Sequence, residues 1–270
     1  MATKTPARPL KTLREHVTAL EAAITLALAD PESEPVHRLR TSTRRIEAQL
    51  ELLSLLPDLP DHAEPARKVR KLLRKLRRAA GTVRDLDVQR KLIKEQQIEA
   101  KQHTQSPASR ELRKQAGSLR RKLKRQRSTE SEHLLRTLRA EQNKLVPALE
   151  HLLKTLSPAE DLRLSPTRLS QLTLGWYQRT TPAIQPHGDP DTLHAIRKSA
   201  KLARYIAEPA AGKLSSTFEA LQQAGGAWHD LLTLAHISEK HLGLHSPLTQ
   251  TFIRDRDTAL EVYRQALLEQ

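Results

Sequence analysis

The sequence predicts an all-α protein, and three observations support this fold class. Apolar residues recur at three- and four-residue spacing along nearly the whole chain, which is the pattern of one buried helix face. Leu, Ala, Arg, Lys, Glu and Gln dominate the composition, and these residues are good helix formers. The chain has only eight Gly and 3% aromatic residues, whereas large β-sandwiches and propellers depend on turn glycines and on aromatic or β-branched strand residues. We therefore expect several antiparallel helices and no sheet.

Prolines divide the first half of the chain into helices. The first helix ends near Pro31 and the second ends at Pro57, because proline has no amide hydrogen to donate inside a helix. Gly81 is either a break or a tolerated glycine within the next helical stretch, and Ser128 and Pro147 are candidate kink positions in the long helix that follows. The predicted helices of this half span Leu10–Ala29, Val36–Leu56, Ala66–Ala80, Val83–Gln102 and Ala108–Leu156.

The second half is also helical and follows a linker. The segment Ser157–Pro166 contains two prolines and is predicted to join the halves. Adjacent glycines, Gly225 and Gly226, predict a break in the last helix but one. The predicted helices of this half span Thr167–Gln178, Pro190–Ala207, Leu214–Leu242 and Pro247–Leu268.

An internal repeat links the two halves. The first half contains V-H-R-L-R-T-S-T-R-R-I and the second contains L-H-A-I-R-K-S-A-K-L-A-R-Y, so a histidine is followed by basic residues at the same two spacings. Downstream, G-T-V-R-D from Gly81 matches G-A-W-H-D from Gly226. The repeat predicts two related helical bundles, within 10–156 and 166–270. The matched basic positions are His37, Arg40 and Arg44 in the first half, and His194, Arg197 and Lys201 in the second.

Each repeated segment predicts an amphipathic helix with one cationic face. Residues advance by about 100° around a helix, so His37, Arg40 and Arg44 fall within about 60° of one another. A single helix of this kind is usually a solvated surface, but its duplication favours a functional role. The apolar positions opposite are Leu39, Ile46, Leu50 and Leu53 in the first half, and Ile196, Ala200, Ala203 and Ala207 in the second. The second cationic stripe comprises His194, Arg197, Lys198, Lys201 and Tyr205.

Two further segments are strongly basic. The helix predicted over Ala66–Ala80 has eight basic residues and no acidic one. Like charges therefore lie four residues apart, and each such pair costs about 0.2–0.5 kcal/mol unless a bound polyanion offsets the repulsion. The segment Arg110–Arg127 has a similar excess of Arg and Lys, with Glu111 as its only acidic residue. Both segments favour an anionic partner.

The composition favours phosphate groups over nucleotide bases as that partner. The formal net charge is +15, which predicts binding to a polyanion. Residues 1–175 contain no Phe, Tyr or Trp, whereas proteins that bind single-stranded nucleic acid usually stack bases on aromatic side chains. Asn143 is the only asparagine, so side chains that read base edges are also scarce. Arg and Lys suit phosphate oxygens without bases.

Four segments resemble the CHAD family, the conserved histidine α-helical domain. They are H-R-L-R-T-S-T-R-R, A-A-G-T-V-R-D-L-D-V, H-A-I-R-K-S-A-K and L-Q-Q-A-G-G-A-W-H-D-L, in this order along the chain. The resemblance covers about residues 10–268 and implies one domain over 1–270. It implies two antiparallel four-helix bundles related by pseudo-twofold symmetry, with a central basic groove that binds inorganic polyphosphate. It also implies an association with polyphosphate granules.

The resemblance assigns candidate polyphosphate ligands in both halves. Three further candidates share a stripe on the helix predicted over Ala108–Leu156, namely Arg120, Lys124 and Arg127. The first-half candidates are His37, Arg40, Arg44, Arg45, Arg74 and Arg78. The second-half candidates are His194, Arg197, Lys198, Lys201 and Arg204, of which Lys198 is added because it shares the cationic stripe.

Three positions depart from the family pattern. Glu47 stands ten residues after the first histidine, where the family tends to carry a basic residue. Leu202 replaces the second residue of a basic pair, and Gly225 stands where the family usually has Leu. We expect these departures to alter contacts with the ligand and to leave the fold unchanged.

No catalytic pattern accompanies the basic stripes. The chain has no Cys, no phosphate-binding loop ending in Lys-Ser or Lys-Thr, and no His-Glu-x-x-His pair. The alternating Glu-x-Glu-x-Lys strand of CYTH enzymes, which often accompany CHAD domains, is also missing, because Glu32-Ser33-Glu34 continues into Pro35. Asp85, Asp87 and Asp230 are expected to orient neighbouring Arg and His side chains or to cap helix ends, and not to bind metal. We expect a binding protein without catalytic residues, metal or cofactor.

Two alternative functions remain open at this point. A nucleic-acid-binding helical protein is favoured by charge alone, although we expect only nonspecific binding of that kind. A hydrolase acting on phosphate chains is the third hypothesis. Met1–Leu10 lacks a following apolar region, and Ala22–Ala29 is too short to cross a bilayer, so we expect a cytoplasmic protein without membrane partners.

Overall fold

The computed structural model describes residues 6–102, 106–183, 188–210 and 213–269. These residues form eight α-helices and no β-strand, which confirms the all-α prediction; Ala7 and Leu164 form an isolated antiparallel bridge. Short 3₁₀ turns follow α4, at Ser157–Ala159, and α6, at Glu208–Ala210. The helices are α1 (Pro9–Ala29), α2 (Ser33–Leu53), α3 (Ala63–Gln102), α4 (Pro107–Leu156), α5 (Pro166–Thr180), α6 (Pro190–Ala207), α7 (Lys213–Leu242) and α8 (Pro247–Leu268).

Helix α2 ends one turn earlier than Pro57 predicts. The Ser54 amide still donates to the Leu50 carbonyl at 3.1 Å, but the next two amides bond three residues back, which tightens the chain into a 3₁₀ turn. A residue before proline is disfavoured in the helical conformation, so the α-helix stops before the proline is reached.

The predicted break in α7 is wrong, and Gly81 does not interrupt α3. Helix α7 runs continuously through Gly225 and Gly226, and α3 runs as one helix of 40 residues. Gly81 and Gly225 are both buried against side chains. Packing at these positions outweighs the low helix propensity of glycine. Helix α4 likewise contains Ser128 and Pro147 without interruption.

The described residues form two compact units. The first draws on Met1–Gly81, Glu132–Pro182 and Lys198–Glu219, and the second on Thr82–Ser131, Ala183–Arg197 and Ala220–Gln270. Each unit thus contains residues from both halves of the sequence, because α3, α4, α6 and α7 each contribute to both. The pseudo-repeat of 10–156 and 166–270, the paired four-helix bundles and the central basic groove stay predictions.

In the first unit, α1 packs against α2. The buried Gln49 side chain donates a hydrogen bond to the Pro9 carbonyl at 2.9 Å, which joins the beginning of α1 to α2. Just before α1, Ala7 exchanges backbone hydrogen bonds of 2.8 and 2.9 Å with Leu164, which precedes α5. These contacts fix one side of α2. The basic residues described below lie on its other side.

In the second unit, apolar residues from α3, α4, α7 and α8 form one core. Ile93, Leu119, Leu234 and Phe252 represent the four helices, and their exposed fractions are 0%. Because these helices are fixed by a dry core, the basic residues they carry have defined positions.

Candidate functional site

Helix α2 separates a buried apolar side from a basic side, as the repeat predicts. Arg40 and Arg44 are half-buried, whereas His37 is exposed. The four apolar positions predicted opposite them are each 0% exposed, namely Leu39, Ile46, Leu50 and Leu53. The basic side of α2 is therefore fixed by the burial of its other side.

A carboxylate joins α2 to α3 within the basic surface. Glu47 Oε2 accepts hydrogen bonds from Arg44 Nη1 at 3.1 Å and from Arg77 Nη1 at 2.5 Å. The three side chains are only 17–20% exposed. We call Arg40, Arg44, Arg77 and Glu47 the α2–α3 cluster.

The α2–α3 cluster keeps a surplus of positive charge. Burial lowers the pKa of Arg44, and the nearby guanidinium groups of Arg77 and Arg40 lower it further, while Glu47 raises it. Arg44 and Arg77 share the one carboxylate of Glu47, so their two guanidinium groups exceed its single negative charge. A site of this kind attracts an anion that accepts several hydrogen bonds, as phosphate does.

Gly81 allows Arg40 to lie against α3. An ideal Cβ built on Gly81 would stand 2.5 Å from Arg40 Nη1, closer than real Cβ atoms approach. Any larger residue would therefore displace the guanidinium. The glycine of the G-T-V-R-D motif thus positions an arginine of the repeated stripe.

A second group of basic residues surrounds Tyr205 on α6. Arg45 donates to both carboxylate oxygens of Glu208, at 3.0 and 2.7 Å, and these hydrogen bonds raise the pKa of Arg45. Arg204 lies 4.8 Å from the centre of the Tyr205 ring and donates to Glu219 at 2.8 Å. Both predicted ligands are thus held by carboxylates, which an incoming phosphate would have to replace.

Helix α3 carries Arg74 and Arg78 on its exposed side, one turn apart. The sequence shows no acidic residue within this part of the helix, but other helices supply them. Lys75 donates to Glu141 of α4 at 2.8 Å, and this hydrogen bond lowers the pKa of Glu141. The local like-charge repulsion expected from the sequence is therefore relieved in part by carboxylates distant in the chain.

In the second unit, the histidine of the second repeat lies beside another histidine. The His194 and His229 rings are 4.3 Å apart between centroids, tilted by 38°. Arg197 Nη2 lies 3.4 Å from His194 Nδ1. Imidazole and guanidinium groups together can supply hydrogen-bond donors to an anion.

Gly225 provides the space for the Tyr263 ring in this group. An ideal Cβ on Gly225 would stand 2.8 Å from Tyr263 Cζ and 3.1 Å from Arg197 Cγ, whereas one on Gly226 would meet nothing within 4 Å. Tyr263 also donates to the Leu193 carbonyl at 3.0 Å, next to His194. The close approach in the second repeat thus occurs at Gly225, one residue before the glycine that the motif alignment matches with Gly81.

Arg127 is buried and paired. Its Nε and Nη2 donate to the two Asp87 carboxylate oxygens at 2.9 and 3.4 Å, and its Nη1 donates to Ser131 Oγ at 3.2 Å. Asp87 therefore orients an arginine, as expected from the sequence. The role of Arg127 as a phosphate ligand stays a prediction, and it would require release from Asp87.

The remaining predicted ligands are distributed over α4 and α6. Arg120 Nη1 donates to Gln97 at 2.8 Å, and Lys124 is exposed on the same helix. Lys198 is exposed and Lys201 half-buried on α6, both within the first unit. Of the fourteen predicted residues, the structure brings together Arg40 with Arg44, Arg45 with Arg204, and His194 with Arg197.

Comparison with known proteins identifies the family. The sequence model of the CHAD domain matches residues 11–238. The chain belongs to the CHAD family. This match confirms the resemblance carried by the four segments.

Two solved structures share the fold of this CHAD chain. PptA from Streptomyces chartreusis is 17% identical, with a TM-score of 0.62 over 96% of this chain and 97% of that chain. The CHAD domain from the plant Ricinus communis is 14% identical, with a TM-score of 0.62 over 98% of this chain and 92% of that chain. At these identities the similarity shows the fold alone. No curated protein matches the sequence.

The described part of the CHAD chain lacks the features of two other site types. Within it, no group of three or more His, Asp or Glu side chains is arranged to hold a metal ion. None of its helices is both long enough and apolar enough to cross a membrane.

The structure adds three residues to the candidate site of this CHAD chain. Arg77 and Glu47 belong to the α2–α3 cluster, and His229 lies against His194. Arg77 precedes Gly81 by four residues, so both lie on one face of α3, and this spacing could have indicated Arg77 from the sequence. His229 was visible within the G-A-W-H-D motif, but its stacking on His194 depends on the packing of α6 against α7.

Proposed function

We propose that this CHAD chain binds inorganic polyphosphate through its clustered Arg, Lys and His side chains. The observation that carries the proposal is the α2–α3 cluster, in which Arg44 and Arg77 share the carboxylate of Glu47 and Arg40 lies close to Arg44. Guanidinium groups donate paired hydrogen bonds to phosphate oxygens, and partial burial strengthens them relative to bulk water.

The burial of the aromatic residues supports phosphate over nucleotide ligands. All seven Phe, Tyr and Trp side chains are at most 7% exposed, so these residues offer no open surface on which bases could stack. The excess of positive charge remains available to a polymer without bases. We therefore expect nucleic acid to bind only nonspecifically, through its phosphates.

Several separate clusters favour a polymeric ligand. The Arg45 and Arg204 group and the α2–α3 cluster both lie in the first unit, and one long chain that engages both gains avidity. The His194 and Arg197 group of the second unit can also contact phosphate. The proposed contacts also include the exposed or half-buried candidates outside these groups. These are His37, Arg74, Arg78, Arg120, Lys124, Lys198 and Lys201, with Arg127 included only if Asp87 releases it.

The proposed activity is binding without turnover. The family consists generally of binding domains. We propose that binding localises the protein to polyphosphate granules or organises the polymer there. Incubation of long polyphosphate with the protein and Mg²⁺ should leave the chain length unchanged on a gel, and shortening would show a hydrolase instead.

A double variant that removes two positive charges tests the contribution of the α2–α3 cluster. Arg40→Gln with Arg44→Gln should weaken binding of long polyphosphate by about tenfold or more, measured by fluorescence anisotropy at near-physiological salt. The matched control is Arg136→Gln with Arg139→Gln, which removes two exposed charges from α4 in the same unit.

Circular dichroism must show the same helical content in both double variants. If the two variants bind equally well, the cluster contributes only net charge, and the proposed site is wrong. If the double variant of Arg40 and Arg44 unfolds, the single variant Arg40→Gln replaces it in the binding experiment. The single variant keeps the ion pair between Arg44 and half-buried Glu47.

A further inference from the structure

A basic concavity lies at the beginning of α3, within the first unit. It has a volume of about 740 Å³, and α3 forms one wall while the chain between α2 and α3 forms the other. Leu59 contributes to its apolar lining and His62 lies at the point where the chain enters the helix. Its volume falls within the range of small-molecule sites, about 300–1,000 Å³.

Four cations line this concavity along a single stripe of α3. They are Arg67, Arg70, Lys71 and Arg74, which follow one another at helical spacing. Asp61 is the one carboxylate among the residues that line it, and its Oδ1 already accepts the Ala63 amide at 3.0 Å. The lining therefore favours an anion.

The arginines of the stripe retain donors for a ligand. Arg70 Nη2 lies 3.3 Å from Glu51 Oε1, but its Nε is buried without a hydrogen-bond partner in the described structure. Arg67 pairs with Glu64 at the exposed surface, where ion pairs contribute little. An anion with several oxygens could replace these weak contacts.

We propose that the concavity is a subsite for a short run of phosphates, either the end of a polyphosphate chain or a free oligophosphate. Arg74, a predicted polyphosphate ligand, lies at one end of the stripe, and Arg77 of the α2–α3 cluster follows it by three residues on the same helix. A polymer bound at the cluster can therefore extend along α3 into the concavity. The assignment to a polymer end rests on the proposed function, whereas binding of a free oligophosphate does not.

The double variant Arg67→Gln with Lys71→Gln tests the subsite. Both side chains are exposed, and neither has a buried partner, so folding should be unaffected. Binding of tripolyphosphate by isothermal titration calorimetry and of long polyphosphate by anisotropy should both weaken, by roughly three- to thirtyfold. The slope of log affinity against log salt for the long chain should fall by about 1 for each lost contact.

The control Arg136→Gln with Arg139→Gln removes the same charge from exposed positions of α4 outside the concavity. An equal loss in both variants would overturn the subsite, because only net charge would then matter. An equal loss for single-stranded DNA of the same charge would also overturn it, since the cations would not select phosphate chains. If wild-type protein bound no long polyphosphate, the proposed function would fail, and the tripolyphosphate titration alone would then decide the subsite.

Discussion

Glu47 accepts hydrogen bonds from two guanidinium groups that a bound phosphate would otherwise use. Its position ten residues after His37 is one at which the family pattern tends to carry a basic residue. Here its carboxylate bridges Arg44 and Arg77 across two helices. In the proposed function, Glu47 is an internal competitor that a polyphosphate chain would have to displace, and the free energy of this displacement would lower the affinity.

Replacement of Glu47 by Gln should raise the affinity for long polyphosphate by about threefold or more, because the competing charge is removed while the side-chain shape is kept. Glu150→Gln, at an exposed position of α4 in the same unit, removes the same charge without touching the cluster and serves as the control. Anisotropy titrations measure both variants. Weaker binding of Glu47→Gln would contradict this account, since it would show that Glu47 holds the arginines in place for the ligand.

His16 makes the stability of the first unit sensitive to acid. Burial lowers the pKa of His16, and the neighbouring Arg45 lowers it further, against the opposite effects of Glu208 and Glu15. The folded state therefore holds the proton less tightly than the unfolded state, whose histidine pKa is about 6.5. The contribution of neutral His16 to stability is complete above that pH and is lost as the pH falls from about 6.5 towards the folded pKa.

His16→Gln should accordingly lose less of its free energy of unfolding between pH 7.5 and pH 5.5 than the wild-type protein, as measured by urea denaturation. The rest of the chain is identical in the two proteins, so the difference between the two pH profiles isolates His16. Parallel profiles would contradict the assignment.

At the scale of the helices, local spacing predicts which residues lie on one side of a helix. It does not predict which charged residues of different helices contact each other. The i, i+3, i+7 spacing placed Arg40 and Arg44 correctly on the basic side of α2, because helical geometry fixes it. Glu47 meets Arg77, 30 residues away, and Arg45 meets Glu208, 163 residues away. These pairs depend on how the helices pack, and no local pattern in a single sequence encodes that.

The glycines also show that a local pattern can suggest a helix break where tertiary packing keeps the helix continuous. Two adjacent glycines predicted a break in α7, yet the helix continues because Gly225 accommodates the Tyr263 ring. The sequence could indicate that these glycines have a structural role. It could not show whether that role is to end the helix or to let a neighbouring side chain approach closely. Gly81 has the corresponding role beside Arg40.

Gly81→Ala should weaken polyphosphate binding several-fold while changing the free energy of unfolding by no more than about 1 kcal/mol. The new Cβ displaces the end of a flexible side chain, and alanine gains up to about 1 kcal/mol in helix propensity. Gly226→Ala is the control, because a Cβ there meets nothing within 4 Å. Anisotropy and urea denaturation measure the two quantities. Unchanged binding in Gly81→Ala would show that the position of Arg40 does not matter for the ligand.

At the scale of the whole molecule, composition and motif order predicted the fold class and the family. The repeat divides the sequence into 10–156 and 166–270, whereas the compact units each take three segments from both halves. The reason is the length of α3 and α4, which span 40 and 50 residues and contribute to both units. A repeat in sequence describes related segments and does not determine which segments pack together.

The burial of the aromatic residues narrows the class of anionic ligand that the net charge of +15 implies. All seven aromatic side chains are buried, while most arginines and lysines are exposed or half-buried. The described residues offer many hydrogen-bond donors for phosphate oxygens and no exposed aromatic side chain. Its selectivity should therefore be for charge density carried by phosphate and not for bases.

A competition titration tests this central claim most directly. Labelled long polyphosphate is bound at near-physiological salt and displaced by unlabelled polyphosphate, single-stranded DNA or duplex RNA, each compared per unit of charge. The account predicts that unlabelled polyphosphate displaces the label at concentrations at least tenfold lower than either nucleic acid. Equal displacement by DNA or RNA would contradict it and would favour a nonspecific nucleic-acid-binding protein.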